Sequence, residues 1–316
     1  MVMKLLKKTV ISPRENGKYK AFPTVVKVSD EIVVAYREGR VDAKTPHGVE
    51  GCVRIATSRN LEDWNIFLTP FCDSELDAIV SQIHQDNLFL VTRSYEYRGL
   101  NRVYISSFSK RELPPKIRKP IRFDDANFAV FGHIFRYKNE LIATSYGNFN
   151  GIKSPALLAS SDLGESWRIK SLITPQGHLP TLNETTVTRK GDEFVAVMRS
   201  LEPSYDLYLS KSKNLIDWAM PVKIGIFGHA PMARTLSCGK IAFVFRDLGL
   251  EYPGVSIALG SDLEHWETFN ICQYTGGLYN GGYADFIEID PGVLFVVYYV
   301  SDVNNEPWIE ACTVEI

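Results

Sequence analysis

Apolar and polar residues alternate along this chain in short bursts, and the bursts come in pairs. An apolar run meets a tight polar turn, and a second run rich in Val, Ile, Phe and Tyr follows, ending in Arg or Tyr. Six copies read FPTVVKVSDEIVVAYR, DAIVSQIHQDNLFLVTR, GHIFRYKNELIATSY, ETTVTRKGDEFVAVMR, PMARTLSCGKIAFVFR and DFIEIDPGVLFVVYY. Each predicts a β-hairpin, because β-branched and aromatic runs flank turns carrying Asp, Asn, Gly or Lys. The second runs begin at Ile32, Leu88, Leu141, Phe194, Ile241 and Leu294, a period of about fifty residues. A further strand follows in the first five copies (CVRIATS, RVYISSF, PALLASS, LYLSKSK, VSIALGS), then a turn that usually ends in Trp: Trp64, Trp167, Trp218 and Trp266. Four antiparallel strands per period predict one blade, and six periods predict an all-β fold, a six-bladed β-propeller. Helical periodicity is weak, which argues against a βαβ fold.

The last copy runs out of chain at IEACTVEI, and the N-terminal KKTVIS has no partner of its own. KKTVIS is expected to supply the outer strand of the last blade, leaving no long unpaired edge. No Pro/Gly/Ser-rich linker divides the chain, so residues 1–316 are expected to form one domain, with KRELPPKIRKP at 110–120 as a loop.

In such a blade the innermost strand runs along the channel and the second returns antiparallel, so first-run starts and second-run ends share a face. The ends are Arg37, Arg93, Tyr146, Arg199, Arg246 and Tyr299. The starts are Lys20 with Phe22, Asp77, His133, Glu184, His229, and Tyr283 with Asp285. The planar guanidinium fork suits a carboxylate, so the expected ligand is acidic. Strand-ending arginines can also serve only to pair with acids on the next blade; four at one register favour a pocket.

Composition narrows the partners. The chain is 45% hydrophobic and 23% charged with a net charge of −2, ordinary for a globular domain. It lacks the basic footprint of a nucleic-acid binder and any basic tail for a membrane surface. Neither partner is expected, and the oligomeric state is not legible. The five cysteines are odd in number with no C-x-x-C pair, which predicts free thiols rather than a disulfide framework or a zinc site. No metal or other cofactor is expected; His133 and His229 show no ligand spacing. The start MVMKLLKKTVISP has no apolar signal core, so a cytoplasmic location is expected, with a virion or another export route equally compatible.

The turn SSDLGESW, with Ser160, Asp162, Gly164, Ser166 and Trp167, resembles the Asp box (BNR repeat) S-x-D-x-G-x-[ST]-W of sialidases and related propellers. SRNLEDW, SKNLIDW and SDLEHW look like eroded copies. Over nearly its whole length the chain resembles the sialidase (neuraminidase) superfamily. NETTVTRKGDEFVAVMRS resembles the segment carrying the family's glutamate and second arginine, pointing to Glu184 and Arg199. FVFRDLG points to Arg246 as the third arginine, and GGYADFIEIDPGVLFVVYY to Tyr283. AYREGR, with Glu38, Gly39 and Arg40, resembles A-x-x-E-G-R.

The resemblance implies a sialidase-like exo-glycoside hydrolase acting on a terminal acidic sugar, with a Tyr283/Glu184 nucleophile pair. Two departures stand out. The family's first arginine, in R-I-P, is replaced in KAFP by Ala21, leaving Lys20 or Arg37 to supply the charge. The acid/base aspartate is missing from VDAKTPHGVEG, where His47 lies nearest its place and Asp42 and Glu50 are the only acids after the motif. His47 or Asp42 would then donate the proton. Arg199 and Arg246, with Arg37 or Arg93, would anchor a carbohydrate or glycoconjugate, and Tyr146, Tyr299, Lys20, Asp77, His133 and His229 would complete the binding ring. Two alternatives stay open: a non-hydrolytic carbohydrate-binding propeller, and a glycosidase for another sugar using acids such as Asp73, Glu75 and Asp77.

Overall fold

The alternating runs fold as strands. In the computed structural model, which describes residues 3–45, 47–95, 100–174, 180–201 and 205–316, there are 24 strands and one 3-10 turn, Lys110–Glu112, among the described residues. Strand β1 (Lys4–Ser12) precedes a first sheet of β2 (Lys18–Val28), β3 (Glu31–Arg40), β4 (Val49–Ser58) and β5 (Asn65–Leu68). A second sheet holds β6 (Glu75–His84), β7 (Asn87–Tyr95), β8 (Asn101–Ser109) and β9 (Lys119–Ile121). In a third, β10 (Ala126–Val130) and β11 (Phe135–Tyr137) both pair with β12 (Glu140–Phe149), followed by β13 (Ile152–Ser160) and β14 (Arg168–Leu172).

A seven-stranded sheet follows, with β15 (Leu182–Lys190), β16 (Glu193–Ser200), β17 (Asp206–Ser212), β18 (Val222–Thr235), β19 (Ile241–Asp247), β20 (Gly254–Gly260) and β21 (Trp266–Gln273). Its middle strand β18 is shared: the first half pairs with β17 and the second with β19. Last come β22 (Ala284–Asp290), β23 (Val293–Val300) and β24 (Trp308–Glu315), and β1 lies antiparallel along β24, from Lys4–Glu315 to Ser12–Ile309.

All six hairpins of the repeat are present, as β2–β3, β6–β7, β11–β12, β15–β16, β18–β19 and β22–β23. The 110–120 segment is more than a loop, since it carries the 3-10 turn and enters β9, which pairs with β8.

Apolar side chains leave both faces of these strands, so each sheet needs a cover on both sides. The core is divided accordingly. Val33 and Val53 of the first sheet meet Val80 and Leu90 of the second. Val34 and Ala56 of the same first sheet meet Phe295 and Val297 of β23, so the last sheet packs against the first.

The SSDLGESW turn shows why its residues occur together. The Asp162 carboxylate accepts from Ser166 N at 2.9 Å and Ser166 Oγ at 2.5 Å. Bonds from the Ser166 hydroxyl and backbone, and from Ser160, pull it down to about 2. Gly164 takes φ +89°, which a side chain would resist, and Trp167 packs into the core between the second and third sheets. The turn is structural.

The thiol expectation needs correcting. Cys52 and Cys72 form a disulfide, because β4 and β5 run back antiparallel and bring their Cα atoms to 4.0 Å. Cys238, Cys272 and Cys312 are free.

Candidate active site

The strand ends converge by register. Arg93 lies opposite Asp77, Arg199 opposite Asn183, Arg246 opposite His229 and Arg37 opposite Ala21. Near this mouth the inner strands carry β-bulges, between Ala21 and Thr24, Glu75 and Asp77, Asn183 and Thr185, and His229 and Met232. A bulge inserts an unpaired residue and re-aims its side chain. Phe22 (φ 58°) and Glu184 (φ 23°) are such residues, as is Leu76, and all three line one pocket of about 200 Å³.

Two charged groups from different sheets share that pocket. In the first, the Tyr283 hydroxyl donates to Glu184 Oε1 at 2.5 Å, and Arg199 Nη1 donates to Glu184 Oε2 at 2.8 Å and to the Tyr283 oxygen at 3.2 Å. In the second, Arg93 Nε lies 2.6 Å from Asp77 Oδ2, with Tyr146 Oη 3.5 Å from its Nη1. Phe22, Phe131 and Leu76 supply apolar surface, and His47 and Tyr279 complete the lining.

The environment splits the two carboxyls. Burial pushes Asp77 above the usual carboxylate range, with the Glu184 charge adding to the rise against Arg93. Burial opposes ionisation of Glu184 too, but the Arg199 charge and the bonds from Tyr283 and Arg199 hold it below that range. Burial, then the neighbouring Glu184 charge, lifts the Tyr283 phenol well above its ordinary value. Burial and the charges of Arg246 and Arg37 lower His47 to about 4.

Several expected site residues lie elsewhere. Lys20 is fully buried away from the pocket, its ammonium on Pro13 O at 2.7 Å and on Glu15; alternation along β2 turns it from the face where Ala21 meets Arg37. Arg37 is buried behind the pocket and donates to three carbonyls, those of Glu75 (2.6 Å), His47 and Gly48 (3.2 Å). It therefore pins the segment that presents His47, which sits at φ 73°. Arg246 is fully buried, donates to Gly281 O at 2.7 Å and Tyr299 Oη at 3.2 Å, and stacks 4.5 Å from the Tyr283 ring centroid. Gly282 makes room for it: a Cβ there would meet Arg246 Cγ at 2.6 Å.

Tyr299 is buried with its hydroxyl on Tyr279 O at 3.0 Å, and His229 is buried beside Arg246 at 3.5 Å. Neither lines the pocket. Asp42 also lies outside it, so of the two proposed proton donors only His47 is present. His133 is displaced because Tyr146 pairs with Ala129 of β10, four positions earlier. Its ring lies deeper along the channel, 2.8 Å from both Val80 O and Asp285 Oδ2. Of the alternative acids, Glu75 is buried on Arg118 and Asp73 pairs with Arg102 at 3.5 Å, leaving Asp77. Phe131 and Tyr279 were not singled out from the sequence, since nothing in their local pattern marks them. Among the described residues no cluster of His, Cys, Asp or Glu is placed to hold a metal ion.

The fold recurs in solved structures. A Trypanosoma rangeli sialidase in complex with sialic acid superposes with a TM-score of 0.69 at 14% identity, covering 98% of this chain and 58% of its own. The fold is that of the sialidases. A Dyadobacter fermentans protein of unknown function shares this sialidase fold with a TM-score of 0.85 at 16% identity, over 99% of each chain. So does an α-L-arabinofuranosidase from Fusarium graminearum in complex with an iminosugar inhibitor, with a TM-score of 0.70 at 12% identity over 99% of this chain and 98% of its own. No family model and no curated protein sequence matches the chain.

Two histidines in poorly hydrated places, the half-buried His47 and the buried His229, predict that the fold of this chain is acid-sensitive. His47 is lowered to about 4 and His229 to about 3, by burial first and then by arginine charge. An unfolded histidine titrates near 6.5, well above both. Below that pH the unfolded chain therefore binds these protons first, and stability present above 6.5 is lost as pH falls through the folded values. Urea midpoints should drop between pH 6.5 and 4, by on the order of a few kcal/mol in unfolding free energy. His47→Gln should remove part of that slope. A midpoint independent of pH across this window contradicts the assignment.

Proposed function

We propose that the chain is one six-bladed propeller domain, residues 1–316, and an exo-glycoside hydrolase whose pocket takes a single terminal sugar. The six hairpins and the packing of the last sheet on the first support the blade count. The observation that carries the catalytic reading is the Tyr283 hydroxyl 2.5 Å from Glu184 Oε1, with Arg199 bonded to both.

A phenol is a poor nucleophile while it keeps its proton, and the raised Tyr283 keeps it near neutrality. Glu184 is ionised there and takes the proton as the phenol oxygen bonds to the anomeric carbon. The departing oxygen needs a proton in turn. His47, neutral above about pH 4, has none to give near neutrality. Asp77, raised by burial, is the better donor. Once ionised, it activates the water that cleaves the glycosyl–tyrosine bond, and the proton on Glu184 returns to the phenol. Two displacements retain the anomeric configuration.

The sugar class follows from what the arginines already hold. Arg93 holds Asp77, Arg199 holds Glu184, Arg37 holds three carbonyls, and Arg246 holds Gly281 O and Tyr299. Each guanidinium is thus already matched to acceptors of the protein, and a neutral sugar leaves these contacts in place without calling for a further cation. We therefore favour a neutral terminal sugar. The surplus of four arginines over two carboxylates favours an acidic one as the second reading. A sialidase and an arabinofuranosidase both occur on this fold. A panel of fluorogenic glycosides, neutral pyranosides and furanosides beside an α-sialoside, tests the choice. Release from a neutral member is expected, and release from the sialoside alone supports the second reading. Glycan binding without release from any substrate overturns the hydrolase.

A further inference from the structure

The far end of the central channel is a larger chamber, of about 580 Å³, within the usual size range of small-molecule sites. It is lined from all six inner hairpins. Its residues lie five positions beyond the first pocket's on the same strands: Phe22 to Lys27, Asp77 to Gln82, Glu184 to Arg189 and Tyr283 to Glu288. At about 3.3 Å per residue the two sites are roughly 16 Å apart. Between them the channel narrows to about 20 Å³ among Thr24, Ile79, Phe131, Met232 and Ala284, room for about one water. The chamber is thus a separate compartment.

Its chemistry is one-sided. Lys27, Arg136, Arg189 and Arg234 face Glu288 as the one acid in the lining, in a chain whose net charge is −2. The Glu288 carboxylate is occupied by Ser237 N, Ser237 Oγ (2.7 Å) and Gly292 N (3.0 Å). Arg189 donates its Nε to Gly191 O at 2.9 Å and lies over the Phe194 ring, with the exposed Asp192, at 3.7 Å, as its acid partner, and among the described residues Arg136 has no ion pair. Arg234 is held at the chamber floor: its Nη2 lies 3.1 Å from Val25 O, 2.6 Å from His133 Nε2 and 3.5 Å from Asp285 Oδ1, while its buried Nε has no partner. A cation fixed in advance with a donor to spare binds an oxyanion without reorganising. Phe135 and Phe194, stacked 6.4 Å apart, add apolar wall for an organic body.

We infer that this chamber is a second ligand site, on the opposite face from the first pocket, for a small molecule carrying a phosphate or carboxylate group.

Calorimetric titration of the full chain with inorganic pyrophosphate and with citrate at low salt tests this independently of any glycosidase activity. At least one probe should bind. The double variant Arg136→Ala/Arg189→Ala, whose side chains are exposed and so removable without unfolding, should bind it at least tenfold more weakly. Tyr283→Phe should bind it as the parent does. Absence of binding by both probes, undiminished binding in the double variant, or loss of binding in Tyr283→Phe would each overturn the inference.

Discussion

Replacing Tyr283 with phenylalanine is expected to lower kcat on whichever glycoside is cleaved by about ten-thousandfold or more, the scale on which a removed nucleophile registers. The change deletes one oxygen and keeps the ring, so contacts with Phe22 and Arg246, at 5.2 and 4.5 Å, persist. The effect should therefore fall on kcat with little change in binding of the intact sugar. Glu184→Gln removes the acceptor of the same proton and should cost a comparable factor. Because the two act in one step, combining them should add little to either alone. Rapid-quench measurement of turnover beside inhibitor affinity checks both. A Tyr283→Phe protein within about tenfold of the parent would make the phenol a packing residue and leave Glu184 with Asp77 as a two-carboxylate site.

Asp77→Asn should show the second largest loss, and one that depends on the leaving group. On an alkyl glycoside the departing oxygen needs its proton, and kcat should fall about a hundred- to ten-thousandfold. On an aryl glycoside with an acidic phenol, glycosylation needs little help and should slow far less. The same substitution should remove the high-pH limb of kcat/KM, since on this mechanism the parent would lose activity as Asp77 ionises, at a pH above the usual carboxylate range. The low-pH limb, set by Glu184 below that range, should remain. His47→Gln is the contrast. A leaving-group dependence that appears in His47→Gln and not in Asp77→Asn would move the proton donor to the histidine.

The repeat was legible in the sequence because a hairpin is a local event. Each inner pair is built within a few residues of a turn, from side chains that alternate with period two. The same regularity located Arg93, Arg199, Tyr146, Glu184 and Tyr283, which do share a pocket. It could not separate them from Arg37, Arg246 and Tyr299, which sit at equivalent strand ends but lie buried behind it. Which way a guanidinium turns depends on carbonyls brought in by other segments: Glu75 and the His47–Gly48 stretch for Arg37, Gly281 for Arg246.

By itself, then, the sequence determined the strand repeat, the turn chemistry and part of the pocket lining, Asp77, Arg93, Tyr146, Glu184, Arg199 and Tyr283 among it, since these follow from local pattern. The tertiary structure alone decided which of the strand-end residues line the pocket, that Asp77 rather than Asp42 enters it, and that Cys52 meets Cys72. The physical reason is register. One extra residue in a bulge, as at Phe22, Leu76 and Glu184, turns a side chain to the other face of its strand, and no local pattern announces it.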